Sequence, residues 1–254
     1  MKIIVLGSGT NVPLSYRASP SIALFSEDNP VLFDMGPGTL RQLARIGISH
    51  ERIKQIFISH FHPDHTADLI HFLFATRDPE ITKRRRPFVI TGPMGLEAFL
   101  KRLRNAYGKW LDLPEGLEII EELDIHKPEK RTYNDYNIMS QPVRHTPNSL
   151  AYRIHDRSGG SFVYSGDTSY CDEIVALARD CDLLILECSL PEGEDVEGHL
   201  TPSQAGRIAT LAGAKKLLLI HFYPEVLGTN IAMDCRKTYK GELILGRDML
   251  NICV

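Results

Sequence analysis

Apolar positions along the chain fall into short runs punctuated by turn-forming residues, and a period of two alternates with a helical period. Met1-Lys2-Ile3-Ile4-Val5-Leu6-Gly7 reads as a first strand. Ser21 to Phe25 and Val31 to Asp34 read as a hairpin joined across Ser26-Glu27-Asp28-Asn29-Pro30. A helix carrying Leu40, Leu43, Ala44 and Ile46 follows, closed by Gly47 where a left-handed cap is favoured. Ile53 to Ile58 is an apolar, β-branched run that predicts a buried strand, and Leu69, Ile70, Phe72 and Leu73 recur at helical spacing. Pro87 to Thr91 predicts a strand and Met94 to Tyr107 a helix with a basic outer face. The second half repeats the alternation, with strands at Leu117 to Ile120, Tyr136 to Val143, Leu150 to Ile154 and Phe162 to Ser165, and helices at Tyr170 to Arg179 and Pro202 to Ala212. Leu183 to Leu186 and Leu217 to Ile220 are continuous apolar runs, as expected where both faces of a strand are covered. With no repeat, linker or low-complexity segment, one α/β domain over residues 1–254, sheets inside and helices outside, is the economical reading.

Composition narrows the function more than the fold. A formal net charge of -3 argues against general affinity for nucleic acid, which draws on surplus lysine and arginine. Five cysteines, odd in number and without a Cys-x-x-Cys pair, suggest neither a disulfide framework nor a zinc knuckle and fit reduced thiols in a cytoplasmic protein. No secretory signal or membrane-spanning run is evident. Gly7-Ser8-Gly9 after the first strand lacks the third glycine and the following helix of a dinucleotide site, so it reads as a tight turn.

The informative stretch is Ser59-His60-Phe61-His62-Pro63-Asp64-His65, directly after a predicted strand. An extended backbone points the rings of His60 and His62 the same way. Pro63 then opens a helix whose first turn holds Asp64 and His65, so four ligand-type side chains can converge. A solvated loop has no need of that spacing, whereas a metal site does. Asp34 is read either as a partner that orients a metal-binding histidine or as a turn residue. Lys83-Arg84-Arg85-Arg86 is read as part of a solvated polar connection, with a clamp for anionic substrate as the alternative.

Three more ligand-type residues stand where apolar strands meet loops: His145, Asp167 and His221. With Val143-Arg144-His145-Thr146, Ser165-Gly166-Asp167-Thr168, Gly198-His199-Leu200-Thr201 and Leu219-Ile220-His221-Phe222 in this order, the sequence resembles the metallo-β-lactamase superfamily, and within it the ribonuclease Z branch. The resemblance implies an αββα sandwich with a two-metal site at the edge of the paired sheets. By position, His60, His62 and His145 would hold one divalent ion, Asp64, His65 and His221 the other, with Asp167 bridging. Zinc is the first choice of metal, with manganese or iron as alternatives. Such a site would carry roughly +1 with its hydroxide and suit a transition state that gathers negative charge. The resemblance gives His199 a role at the scissile phosphate or leaving group, against a reading as a capping residue, and lets Asp64 double as proton acceptor.

Two departures bear on substrate. The family's transfer-RNA arm is inserted between the third-histidine motif and the bridging aspartate, where this chain has room only for a strand-turn-strand segment. The family's His-Glu-Ala-Thr motif reads Leu186-Glu187-Cys188-Ser189 here, so one proposed proton donor is missing. A phosphodiesterase acting on small or cyclic phosphodiesters fits these departures, with Arg17 as either a phosphate contact or a structural residue. The alternatives are a ribonuclease Z-type endonuclease acting on RNA, an ester, lactone or sulfate-ester hydrolase, an iron-dependent sulfur dioxygenase, and a binding protein without turnover. Relatives resemble homodimers, and no membrane partner is expected.

Overall fold

The computed structural model describes residues 1–26, 29–194 and 196–254. Among them, fourteen strands form two seven-stranded sheets. The first holds β1 (Lys2–Gly7), β2 (Ser21–Ser26), β3 (Asn29–Phe33), β4 (Gln55–Phe57), β5 (Phe88–Pro93) and β6 (Glu118–Leu123) in spatial order. The second holds β7 (Glu129–Thr132), β8 (Tyr136–Pro142), β9 (Leu150–Asp156), β10 (Ser161–Tyr164), β11 (Leu183–Glu187), β12 (Lys216–Ile220) and β13 (Glu242–Leu245), again in order. The last strand, β14 (Asn251–Cys253), returns to pair antiparallel with β1. β2 and β3 pair as the expected hairpin, although positions 27 and 28 of its turn lie outside the described residues.

Strand periodicity explains why there are four layers. Ile3, Val5, Phe57, Leu183, Ile185, Leu218 and Ile220 pack into one core between the sheets. Their neighbours point the other way: Ile4, Leu6, Ile56 and Ile58 join one outer core, and Leu184, Leu186, Leu217 and Leu219 another. Both faces of these strands are buried, so their sequences are continuous apolar runs rather than alternating ones. Helices α1 (Thr39–Arg45), α2 (Pro63–Thr66), α3 (Asp68–Thr76), α4 (Pro79–Thr82) and α5 (Leu96–Tyr107) connect strands of the first sheet. Helices α6 (Asp172–Leu177), α7 (Pro202–Ala212), α8 (Pro224–Leu227) and α9 (Ile231–Cys235) do so for the second. The result is the αββα sandwich.

Several elements differ from the sequence expectations. The strand expected over 53–58 is shorter, because a one-turn 3-10 helix at His50–Arg52 delivers Ile53 as its cap and the ladder begins at Gln55. The helix expected from Tyr170 starts at Asp172, since Cys171 is still extended. The polar connection after Arg77 contains α4, with Asp78 accepting from the Glu80 amide as its cap. Arg85 in that connection is not solvated. Its guanidinium donates to the carbonyls of His50 (2.8 Å) and Ile53 (2.9 Å) and lies over the rings of Phe72 and Phe88. Lys83 pairs with Glu80 and Arg84 with Glu51, so three of the four cations face protein partners rather than forming a substrate clamp. No helix among the described residues is long and apolar enough to cross a membrane.

Candidate metal centre

The parallel strands β3, β4, β10, β11 and β12 end at the same edge of the sandwich, and each delivers a polar side chain there. Two cross-sheet bonds fix the edge: the Leu150 amide donates to Ser59 O (2.9 Å) and the Tyr152 hydroxyl to Ile58 O (2.6 Å). After β4 the chain stays extended. Phe61 stacks on Phe99 of α5 (4.9 Å between centroids), while His60 and His62 sit ring to ring at 4.6 Å. Pro63 begins α2, and Asp64 and His65 fall in that first turn. Gly36 permits this packing, because a Cβ there would lie 2.0 Å from Asp64 O.

The side chains expected at the centre are brought together. His60, His62, His145 and Asp167 form one set of donor atoms within 4.8 Å of one another, and Asp64, His65 and His221 form a second. Asp167 reaches across, with Oδ2 3.8 Å from His60 Nε2 and Oδ1 3.2 Å from His65 Nε2 and 3.3 Å from His221 Nε2. His62 turns Nδ1 inward, 3.1 Å from His145 Nε2. His221 adopts φ 59°, a left-handed conformation that costs a non-glycine residue roughly 1–3 kcal/mol and persists where the surrounding structure imposes it.

Outer partners set which nitrogen faces inward for four of the five histidines. His60 Nδ1 meets Ser59 Oγ (3.0 Å), His65 Nδ1 meets Asp34 Oδ2 (2.7 Å), His145 Nδ1 meets Gly198 O (2.9 Å) and His221 Nδ1 meets Ser189 Oγ (2.8 Å). Asp34 thus orients a histidine rather than only closing a turn. It also accepts from the Ser59 amide and hydroxyl (both 2.7 Å) and from Tyr164 Oη (2.6 Å). Gly198, at φ 100°, brings its carbonyl to His145, where a Cβ would stand 2.7 Å from Nδ1.

Four of the inward atoms, His60 Nε2, His65 Nε2, His221 Nε2 and Asp167 Oδ1, are buried and make no hydrogen bond among the described residues. Buried polar atoms are nearly always bonded, so four orphans aimed at one place fit a cation. Burial, reinforced by His65, holds the His60 imidazole well below its ordinary range and keeps it a neutral donor. Burial would also depress His65, but Asp167 and Asp34 outweigh it and raise the ring well above its ordinary range. Burial would raise Asp167, yet His221 and His65 hold its carboxyl well below the usual carboxylate range. A divalent ion takes the place of the proton shared in such a pair.

His199 joins Asp167 and His221 in a third grouping of donor atoms. Its Nδ1 lies 2.9 Å from Oε1 of Glu187, a carboxylate at the end of β11 with 1% side-chain exposure. The same carboxylate accepts from the Thr168 and Leu200 amides and the Ser189 hydroxyl. Glu187 is a candidate site residue that the sequence alone does not single out. Its signal was an acidic residue closing an otherwise apolar buried strand. Arg17 resolves as structural: Nη1 donates to Ser8 Oγ (2.6 Å) and Gly246 O (2.9 Å), and the guanidinium covers Phe222.

Comparison with known proteins agrees with this fold. The family model described as "Beta-lactamase superfamily domain" matches residues 29–222. The ribonuclease Z of Streptomyces avermitilis is 26% identical over 100% of this chain and 97% of its own length, and that of Pyrococcus horikoshii is 29% identical over 89% and 87%. The crystal structure of the metallo-beta-lactamase fold protein YhfI from Bacillus subtilis superposes with a TM-score of 0.84 at 26% identity, covering 99% of this chain and 98% of that one. The human short-form tRNase Z shares the fold, with a TM-score of 0.80 at 24% identity over 100% and 99%. Fold and family model converge: the chain belongs to the metallo-β-lactamase superfamily as a metal-dependent hydrolase, and along most of its length it is similar to ribonuclease Z enzymes.

Proposed function

We propose that this metal-dependent hydrolase is a phosphodiesterase for small or cyclic phosphodiesters. One divalent ion would be held by His60, His62 and His145, a second by Asp64, His65 and His221, and both by Asp167. Zinc suits the nitrogen-rich set. When bound, the ions supply an activated water near neutral pH and charge neutralisation for the developing oxyanion. The chain's own residues supply the rest. Asp64, in the second donor set with His65 and His221, would double as the proton acceptor. His199 is the acid, because burial lowers its pKa less than Glu187 raises it, and the ring reaches about 9.

The observation that carries this reading is the Glu187–His199 pair standing beside the orphaned donors. An imidazolium held there can protonate an alkoxide leaving group. Reconstituted protein is expected to hydrolyse bis-p-nitrophenyl phosphate, and absence of turnover with zinc, manganese and iron alike contradicts the proposal.

A ribonuclease Z-type activity is the second reading, favoured by the length over which the Streptomyces avermitilis enzyme matches. Against it, β9 and β10 are joined by a turn at 157–160, which leaves no segment to act as an arm. Efficient cleavage of a 3′-extended transfer-RNA precursor would overturn the preference for small substrates. The same proposal places the chain in one domain over 1–254, since three cores share strands and β14 closes on β1. It also places the protein in the cytoplasm, in keeping with unpaired cysteines. It makes the protein a homodimer, which sedimentation equilibrium tests.

A further inference from the structure

A cavity of about 440 Å³ opens beside Asp64, between the 11–19 loop, helix α1 and Asp248. It is distinct from the cavity of about 380 Å³ that His199 shares with Arg144 and Tyr170. Three arginines line it: Arg17, Arg41 and Arg45.

Its wall is a continuous chain of hydrogen bonds. Arg45 Nη1 donates to Gln42 Oε1 (2.8 Å), and Gln42 Nε2 donates to Asp248 Oδ2 (2.7 Å). Asp248 also accepts from the Ala18 amide (2.7 Å), the Ser8 amide (3.0 Å) and the Ser8 hydroxyl (2.7 Å), and that hydroxyl accepts from Arg17. The hydrogen-bonding capacity of Asp248 is thereby met within the wall. Arg17 is likewise held, by Ser8 and Gly246. Arg41 differs. It lies one helical turn before Arg45 and has no hydrogen bond, ion pair or ring contact among the described residues.

An exposed arginine is ordinarily just solvated. Arg41 instead lines a cavity that shares a wall with a candidate metal ligand, and the lining carries more guanidinium than carboxylate. A guanidinium presents five donors in a planar fork that matches phosphate, and the cavity falls in the range of about 300–1,000 Å³ that small-molecule sites occupy. We propose that this cavity is a subsite for a second anionic group, with Arg41 as its principal contact, and that the substrate is a small phosphodiester also bearing a phosphomonoester. The inference rests on the phosphodiesterase reading and names its substrate class.

The test compares adenosine 2′,3′-cyclic phosphate with the same compound carrying a 5′-phosphate. Wild-type protein is expected to favour the phosphorylated compound about tenfold or more in kcat/KM, mainly through KM, as one charge-assisted contact provides. Arg41→Glu should bring the ratio of the two substrates toward one, and Arg41→Lys should restore part of it. A structural role for Arg41 would slow both substrates together and leave the ratio unchanged, which overturns the proposal. So does equal use of the two compounds by wild type. Calorimetric binding of adenosine 5′-phosphate against adenosine reads the subsite without turnover. Roughly tenfold weaker binding of the phosphate by Arg41→Glu supports it, and unchanged binding overturns it, even if the phosphodiesterase reading has failed on bis-p-nitrophenyl phosphate. Loss of transfer-RNA precursor cleavage in Arg41→Glu, without any small-substrate preference in wild type, would assign Arg41 to RNA and overturn the proposal.

Discussion

The Nδ1 atom of His199 lies 2.9 Å from Oε1 of Glu187, and the buried carboxylate keeps the ring protonated to about pH 9. An acid with that pKa is active below it and lost above it, so kcat/KM should carry an alkaline limb assigned to His199. His199→Ala is expected to retain its metal and lose about two or more powers of ten in phosphodiesterase rate. Glu187→Gln removes the partner that raises the ring, so its alkaline limb should move to lower pH. Steady-state pH profiles check both; a His199→Ala variant with wild-type turnover reduces the residue to a cap.

Arg85 is a structural cation inside a run that looks like a surface feature. Arg85→Ala strips the His50 and Ile53 carbonyls of their donors and uncovers Phe72 and Phe88. It should cost about 2–3 kcal/mol in chemical denaturation, whereas Lys83→Ala, whose pair with Glu80 is exposed, should stay within about 0.5 kcal/mol. Equal stability of the two variants would contradict the assignment.

Asp182 ties two loops of the second sheet together. Lys215 first, and Ser161 after it, hold its carboxyl down to about 2 despite some opposing burial. A depressed carboxyl pKa stabilises the fold fully above the unfolded value of about 4, and the contribution disappears as pH falls through about 2. Solvent screening at this partly exposed group limits the effect to ~1 kcal/mol. Asp182→Asn should therefore be less stable than wild type at pH 7, with the gap closing between about pH 4 and 2. A gap that widens on acidification would show the wrong sign.

Asp167 and His221 are legible in the sequence because β10 and β12 are apolar on both faces, so a ligand-type residue just past their ends stands out. His60 and His62 were legible for the same reason, with period two setting their common direction. Other features follow from contacts distant in sequence and leave no local pattern. Asp248 gathers donors from Ser8, Ala18 and Gln42, which lie 240, 230 and 206 positions away. β7 is a charged edge strand, Glu-Lys-Arg-Thr, in which polar residues replace the expected alternation. β13, β14 and α9 carry little sequence signal because they are only four, three and five residues long. Glu187 leaves no local pattern as a site residue, because its place there depends on His199 folding back onto it.

Metal content bears most directly on the whole account, because seven side chains are asked to hold two ions. Elemental mass spectrometry of zinc-reconstituted, desalted protein should find about two ions per chain, and Asp167→Asn, which loses the shared ligand, should retain about one or fewer. Wild-type protein that binds none, or an Asp167→Asn variant that binds as many as wild type, would contradict it.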